Sequence, residues 1–221
     1  RGHGRQVSDF VCVTIGIGIG AGIIIDNKLY RGAVAGAGEI GHITIQEDGP
    51  ACTCGNHGCL EAFASDAALV REMKRIVESG RSSAVTRISA EESRDLDRPM
   101  IARAAREGDD AALSVVRHAG EHIGVGLATL VNILNPEMIV VAGEAAIDFG
   151  DLLLEPIRDS IRRRSVSVLA QRLEVVESLL GDRIWIVGAA SLVIDDFFGA
   201  PIYERHDHVA AVSIPDLMQG S

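Results

Sequence analysis

The sequence predicts an α/β fold, an open mixed sheet with helices on its faces. Three observations carry that expectation. Strand-like segments come first and are followed by alternating helix and strand patterns. The 24 glycines sit largely in short apolar runs, which suits tight turns between strands. The chain is 47% hydrophobic but only 4% aromatic, so its 221 residues can bury a large core built from Val, Ile, Leu and Ala.

Residues Phe10–Ile15 alternate and are rich in β-formers. "GIGIGAG" follows, then "IIIDNKLYRG" with a turn signal at Asp26 and Asn27. Together they predict two or three antiparallel strands joined by a glycine-rich turn and an Asx-type turn. "GAVAGAGEIGHITI" reads as a Gly/Ala loop leading into a strand. Residues 59–79 place apolar side chains at helical spacing and read as one helix. Residues 80–98 are polar and read as a loop with a short helical piece. Pro99 can open a helix, "PMIARAAREG", and a long helix is expected over 109–134, ended by Asn135 and Pro136.

"EMIVVAG" then reads as a buried strand, "AIDFGDLLLEPIRDSIRRRS" as mostly helical and "RLEVVES" as an edge strand. "RIWIVGAASLVIDDFF" reads as a strand followed by a helix, and the polar tail ends in a final strand at "HVAAVSIP". There is no internal repeat.

The net charge of −10 makes the chain a poor electrostatic partner for a phosphate backbone. No apolar run is long enough to span a bilayer, and "RGHGRQVSDFVCVT" lacks the apolar core of a signal peptide. The expected location is cytoplasmic, with no membrane partner.

Residues 51–61, "ACTCGNHGCLE", hold three of the four cysteines. In a reducing compartment such a cluster points to metal, and Cys52 and Cys54 are awkwardly placed for a mutual disulfide. A structural zinc takes four Cys or His ligands. His42, Cys52, Cys54 and Cys59 supply a Cys3His set, with Gly55 and Gly58 letting the loop close. His57 is an alternative fourth ligand, though within the tight loop it would strain the backbone. Metal-free packed thiols are the other reading.

"GEIGHI" followed by "CTCGNHGCLE" resembles the signature of the ROK family, named for repressor, open reading frame and kinase. "VCVTIGIGIGAGIIIDNKLYRGAVAGAGEIGH", "LVNILNPEMIVVAG" and "VGAASLVIDDFF" resemble its other landmarks, so the resemblance covers nearly the whole chain. It implies one lobe of an actin-like (ribonuclease H-like) sugar-kinase fold. It also implies sugar contacts at Glu39, His42 and Glu61, with His42 doubling as a zinc ligand. Without the resemblance, Glu39 reads as a solvated loop residue and Glu61 as a first-turn helix acid favoured by the macrodipole. A filled Cys3His site makes the zinc structural, a brace for the loop that holds the carboxylates.

Against ROK kinases the chain departs in three ways. An Asn-Asp pair that carries the family's general base does not precede Phe10. Ile17 stands between Gly16 and Gly18 where kinases carry a hydroxyl for nucleotide phosphate. Glu144 follows Gly143 where kinases have paired glycines. The resemblance therefore implies the sugar-sensing, oligomerising C-terminal lobe of a transcriptional regulator over residues 1–221. The N-terminal lobe and any DNA-binding helix-turn-helix would lie outside this chain. No catalytic residue is assigned. The effector is a sugar or sugar phosphate, and the assembly a homodimer or homotetramer. The alternative is the same lobe of an ATP-dependent hexose or amino-sugar kinase.

Other signals carry less. "GIGIGA" over 16–21 matches a dinucleotide fingerprint but is followed by a strand pattern rather than a helix. "HAGEH", with His118 and His122, matches a short zinc-peptidase pattern but has no third ligand. Cys12 reads as a small core residue, and Arg162, Arg163 and Arg164 as an exposed helix end. His206 and His208 read as solvated.

Overall fold

The structure is a computed structural model and describes residues 2–5 and 7–199. The expected strand at "HVAAVSIP", His206 and His208 lie outside the described residues.

Five strands form one mixed sheet: β1 (Phe10–Ile15), β2 (Ile19–Ile25), β3 (Lys28–Leu29), β4 (Met138–Ala142) and β5 (Glu174–Glu177). Their spatial order is β3-β2-β1-β4-β5. β1 and β2 pair antiparallel, as do β2 and β3; β4 runs parallel to both β1 and β5. Asp26 and Asn27 both take left-handed backbone in the β2–β3 turn, at φ 51° and 62°, as a two-residue hairpin turn demands.

The helices are α1 (Glu61–Ala64), α2 (Asp66–Glu78), α3 (Ala84–Glu92), α4 (Arg98–Arg106), α5 (Asp110–Leu134), α6 (Glu144–Phe149), α7 (Asp151–Arg164), α8 (Ser167–Ala170) and α9 (Ile184–Gly199). One face of the sheet joins the core through Val11, Val13, Ile15, Ile139 and Val141. Val11 faces Ile139 and Val13 faces Val141 across the β1–β4 pair, so the parallel register stacks them on one side. α5 packs along α7 at small residues. A Cβ on Gly124 would lie 2.4 Å from the Ser160 Cβ, so only glycine allows this helix spacing.

Three expectations need correction. The single helix over 59–79 is two helices. Ser65 is extended (φ −75°, ψ 167°), and its hydroxyl accepts from Ala68 N to cap α2. The N–H of Asp66 then leaves the helix ladder and donates to Gly16 O at 2.9 Å. Second, no strand forms at "HITI". Ile43 and Ile45 exchange backbone bonds with Leu60 and Gly58, leaving one isolated bridge, Thr44 to Cys59. Third, the segment read as a strand before the last helix is itself helical from Ile184. Ile184, Val187, Gly188 and Ser191 face Cys12 and Val140 across a cavity on the second face of the sheet. That spacing is helical, and the sheet position beside β4 is already held by β5.

Candidate functional site

The β1–β2 hairpin forms the centre of the site. Gly16, Ile17 and Gly18 make its turn, with Gly16 N–H donating to Gly18 O at 3.1 Å and Ile17 standing out in solvent at 90% exposure. Glu61, in the first turn of α1, reaches back to the hairpin, and its Oε2 accepts from Ile19 N–H at 3.0 Å. A Cβ on Gly18 would lie 2.7 Å from that oxygen, and one on Gly41 would lie 3.3 Å from it. The two glycines thus make the notch in which the carboxylate sits. The turn bearing Glu39 and His42 therefore meets the Glu61 carboxylate at Gly41.

His42 joins two environments. Its Nδ1 lies 3.6 Å from Cys52 Sγ, while its Nε2 lies 3.8 Å from Glu39 Oε2 on the other side of the ring. The Cys54 and Cys59 sulfurs are 3.6 Å apart. One donor atom from each of His42, Cys52, Cys54 and Cys59 lies within 4.8 Å of all the others. A tetrahedral zinc with ordinary Zn–S and Zn–N bonds has edges of about 3.5–3.8 Å, so these separations and this donor set fit a structural metal. His57 is exposed and outside that group.

Local backbone explains why the loop closes there. Cys52 N–H donates to Asn56 O, Gly55 N–H to Cys52 O and Gly58 N–H to Pro50 O. Gly58 takes φ +70°, and a Cβ there would lie 1.6 Å from Gln46 O. Burial pushes the Cys59 thiol up to about 12, and a hydrogen bond from the Asn56 backbone holds Cys54 below its usual value.

On the other side of the hairpin stands Glu144. Gly143, at φ +91°, packs against the Ile15 backbone and starts α6. Glu144 Oε2 would lie 2.5 Å from a Cβ on Gly16. Arg98 fixes this arrangement: its guanidinium pairs with Asp66 and Asp148 and donates to Glu144 O at 3.0 Å. It ties the first residue of α2, itself bonded to Gly16 O, to α6. Trp185, in the first turn of α9, closes one side of the pocket over the hairpin.

The sequence reading missed Arg98 and Trp185. Arg98 belongs to no motif, and its partners come from distant segments. Trp185 falls in an apolar stretch, "RIWIV", that reads as strand. His122 stacks on Phe63 with ring centroids 4.6 Å apart, and among the described residues it joins no metal cluster. No helix of the described residues is long and apolar enough to cross a membrane.

The ROK family model matches residues 1–196. The chain belongs to the ROK family. This ROK chain is 42% identical over 202 residues to the xylose repressor of Caldicellulosiruptor bescii, covering 91% of this chain and 50% of that protein. Among solved structures it is similar to a ROK family transcriptional regulator described as a homologue of the E. coli MLC protein. The identity there is 33% and the TM-score 0.74, over 80% of this chain and 43% of that one. It is also similar to a ROK family glucokinase from Streptomyces griseus in complex with glucose and AMPPNP. That match has 36% identity and a TM-score of 0.78, over 86% of this chain and 61% of that one. The fold is thus the actin-like one of ROK sugar kinases and regulators. The chain spans about half the length of the curated repressors it matches.

Proposed function

We propose that this chain is the effector-binding and oligomerisation lobe of a sugar-responsive ROK transcriptional regulator. The observation that carries this reading is the Glu144 carboxylate seated against Gly16 in the hairpin turn. A hairpin that cradles nucleotide phosphates needs hydroxyl or amide donors and a positive field. Here the Ile17 side chain offers no hydroxyl, Gly16 N–H is spent on Gly18 O, and Glu144 adds a negative charge. The similarity to a xylose repressor points the same way.

The sugar side keeps its groups. Glu39 and Glu61 accept hydrogen bonds from vicinal hydroxyls, and His42 presents Nε2 beside Glu39 while Nδ1 faces the cysteines. Zinc held by His42, Cys52, Cys54 and Cys59 would fix the tautomer and orientation of His42 and brace the loop; all four positions would be protein ligands, so its role is structural. Binding a sugar would bias the angle between this lobe and the rest of the regulator, and so its grip on DNA outside this chain.

The second reading, an ATP-dependent sugar kinase, draws on the similarity to a glucokinase. Thermal stability of the full-length protein separates the two, because a ligand specific to the folded form raises the melting temperature. The regulator reading expects a shift with a sugar, none with Mg-ATP, and sugar-dependent release of operator DNA. A shift with Mg-ATP and phosphorylated product would replace it with the kinase.

A further inference from the structure

The sulfurs of Cys54 and Cys59 stand 3.6 Å apart, so they need approach by only about 1.5 Å more to reach disulfide bonding distance. They differ in access: Cys54 is half-buried, and Cys59 has no exposed surface. Cys52 is one residue from Cys54, an awkward spacing for a mutual disulfide, and its sulfur lies beside His42 Nδ1. Cys59 also touches His42. Its sulfur lies 3.5 Å from the His42 carbonyl oxygen, and it bridges to Thr44 two residues on. Sulfur thus holds His42 at both ring and carbonyl, while its other ring nitrogen lies 3.8 Å from Glu39 Oε2.

We infer that Cys54 and Cys59 form a modification site, at which a peroxide joins them in a disulfide, frees the metal and releases His42 from its place beside Glu39. As metal ligands both sulfurs are thiolates. The accessible Cys54 thiolate attacks one peroxide oxygen; the O–O bond breaks, a sulfenic acid forms and hydroxide leaves. The Cys59 thiolate then attacks the Cys54 sulfur; the S–S bond forms, the S–O bond breaks and a second hydroxide leaves. Two electrons pass from the two sulfurs to the peroxide, and the two hydroxides take protons from solvent to become water. His42 and Cys52 alone cannot fill a tetrahedral site. The His42 ring then loses what fixed its orientation. Glu61 is held by Ile19 N–H, outside the cluster, and keeps its seat. Oxidation therefore weakens the Glu39 and His42 side of the sugar site and spares the hairpin side. That last step rests on the sugar-responsive reading above; the disulfide itself does not.

The test treats the zinc-loaded, full-length protein with hydrogen peroxide and reads three quantities. These are zinc released to a colorimetric chelator, thiols left for alkylation in the tryptic peptide spanning residues 32–71, and calorimetric affinity for glucose, xylose and N-acetylglucosamine. One zinc is expected for each disulfide formed. The peptide should be lighter by two hydrogens and take one alkyl group, at Cys52. Affinity for the sugar that binds should fall about tenfold, and a reductant with added zinc should restore it. Cys12 lies in β1, outside the cluster, so Cys12→Ser should leave all three readouts unchanged. Three alkylated thiols after peroxide, oxygen added to Cys54 without an S–S bond, or a disulfide through Cys52 overturns the inference. A Cys54–Cys59 disulfide that leaves sugar affinity unchanged overturns the link through His42. Reduced protein that binds none of the three sugars defeats the sugar-responsive reading instead, while zinc release and alkylation still decide the disulfide.

Discussion

Glu144 Oε2 rests so close to Gly16 that a methyl group added to the glycine would sit 2.5 Å from it, while one added to Gly143 would sit 2.4 Å from Ile15 O. The two clashes differ in kind. Glu144 can swing its flexible end away; the Ile15 backbone, in the central strand, cannot move, and Gly143 also holds φ +91°. Gly16→Ala is expected to cost less than about 1 kcal/mol and Gly143→Ala more than about 2 kcal/mol. Urea unfolding of the two variants measures this. Equal losses would mean that Glu144 is as rigidly held as the strand.

Asp109 ties two helix starts together. Its Oδ1 accepts from Ala112 N and Ser83 Oγ, and its Oδ2 from Ala84 N, all within 2.9 Å. Burial alone would raise its carboxyl, but the bonds to Ala112, Ala84 and Ser83 together outweigh burial and leave it below the usual carboxylate value. A group lowered in the folded state binds fewer protons there than when unfolded. Its contribution is therefore complete above an unfolded value near 3.8 and disappears as pH falls through the lower folded value. Asp109→Ala is expected to cost about 2 kcal/mol at neutral pH, through two lost caps. Asp109→Asn should flatten the denaturation profile below pH 4; an unchanged profile would remove Asp109 as its source.

His122 sets a second pH dependence. Burial, with the ring stacked on Phe63, lowers its imidazole and outweighs a backbone hydrogen bond with His118, which opposes the shift as the Glu121 charge does, while the charges of His118 and Arg164 add to it. The unfolded chain takes up a proton first as pH falls. Stability is complete above about 6.5 and declines as pH drops toward the folded value. Replacing His122 with Phe keeps a stacked ring and is expected to flatten stability between pH 5 and 7, read by melting temperature across that range. A decline of the same slope in the variant would assign it elsewhere.

Metal removal is the fourth check. About one zinc per chain is expected by elemental analysis, abolished together in Cys52→Ser and Cys59→Ser variants. Chelation should lower the melting temperature by roughly 5–10 °C and open the 46–60 loop to proteolysis. Full retention of both stability and protease resistance after complete metal loss would leave the thiols as packing groups.

The legible parts of the fold are those decided locally. The alternation in Phe10–Ile15, the Asp26 and Asn27 turn and the long helix ended at Asn135 depend on near neighbours, and each forms as read. The break at Ser65 was hidden because its cause is tertiary: Gly16 O, fifty residues away, takes the N–H of Asp66. The strand expected at "HITI" failed because the cysteine loop claimed its backbone. α9 misled because it is apolar on nearly every side, which blurs periodicity. In the site, the grouping of His42 with Cys52, Cys54 and Cys59 was visible in spacing. The seat of Glu61 between Gly18 and Gly41 was not, since it depends on how two turns cross.

The register of β1 against β4 also governs how the molecule assembles. The hairpin of β1, β2 and β3 and the turns of the cysteine loop involve neighbours only tens of residues apart. The central pair joins Phe10 to Met138, across more than a hundred residues of intervening chain. Closing so long a loop is entropically costly, so this pairing is expected to form late in folding. On a ribosome the metal loop is complete while β1 still lacks its partner, and the exposed edge of β1 is then the segment at risk of pairing with another nascent chain.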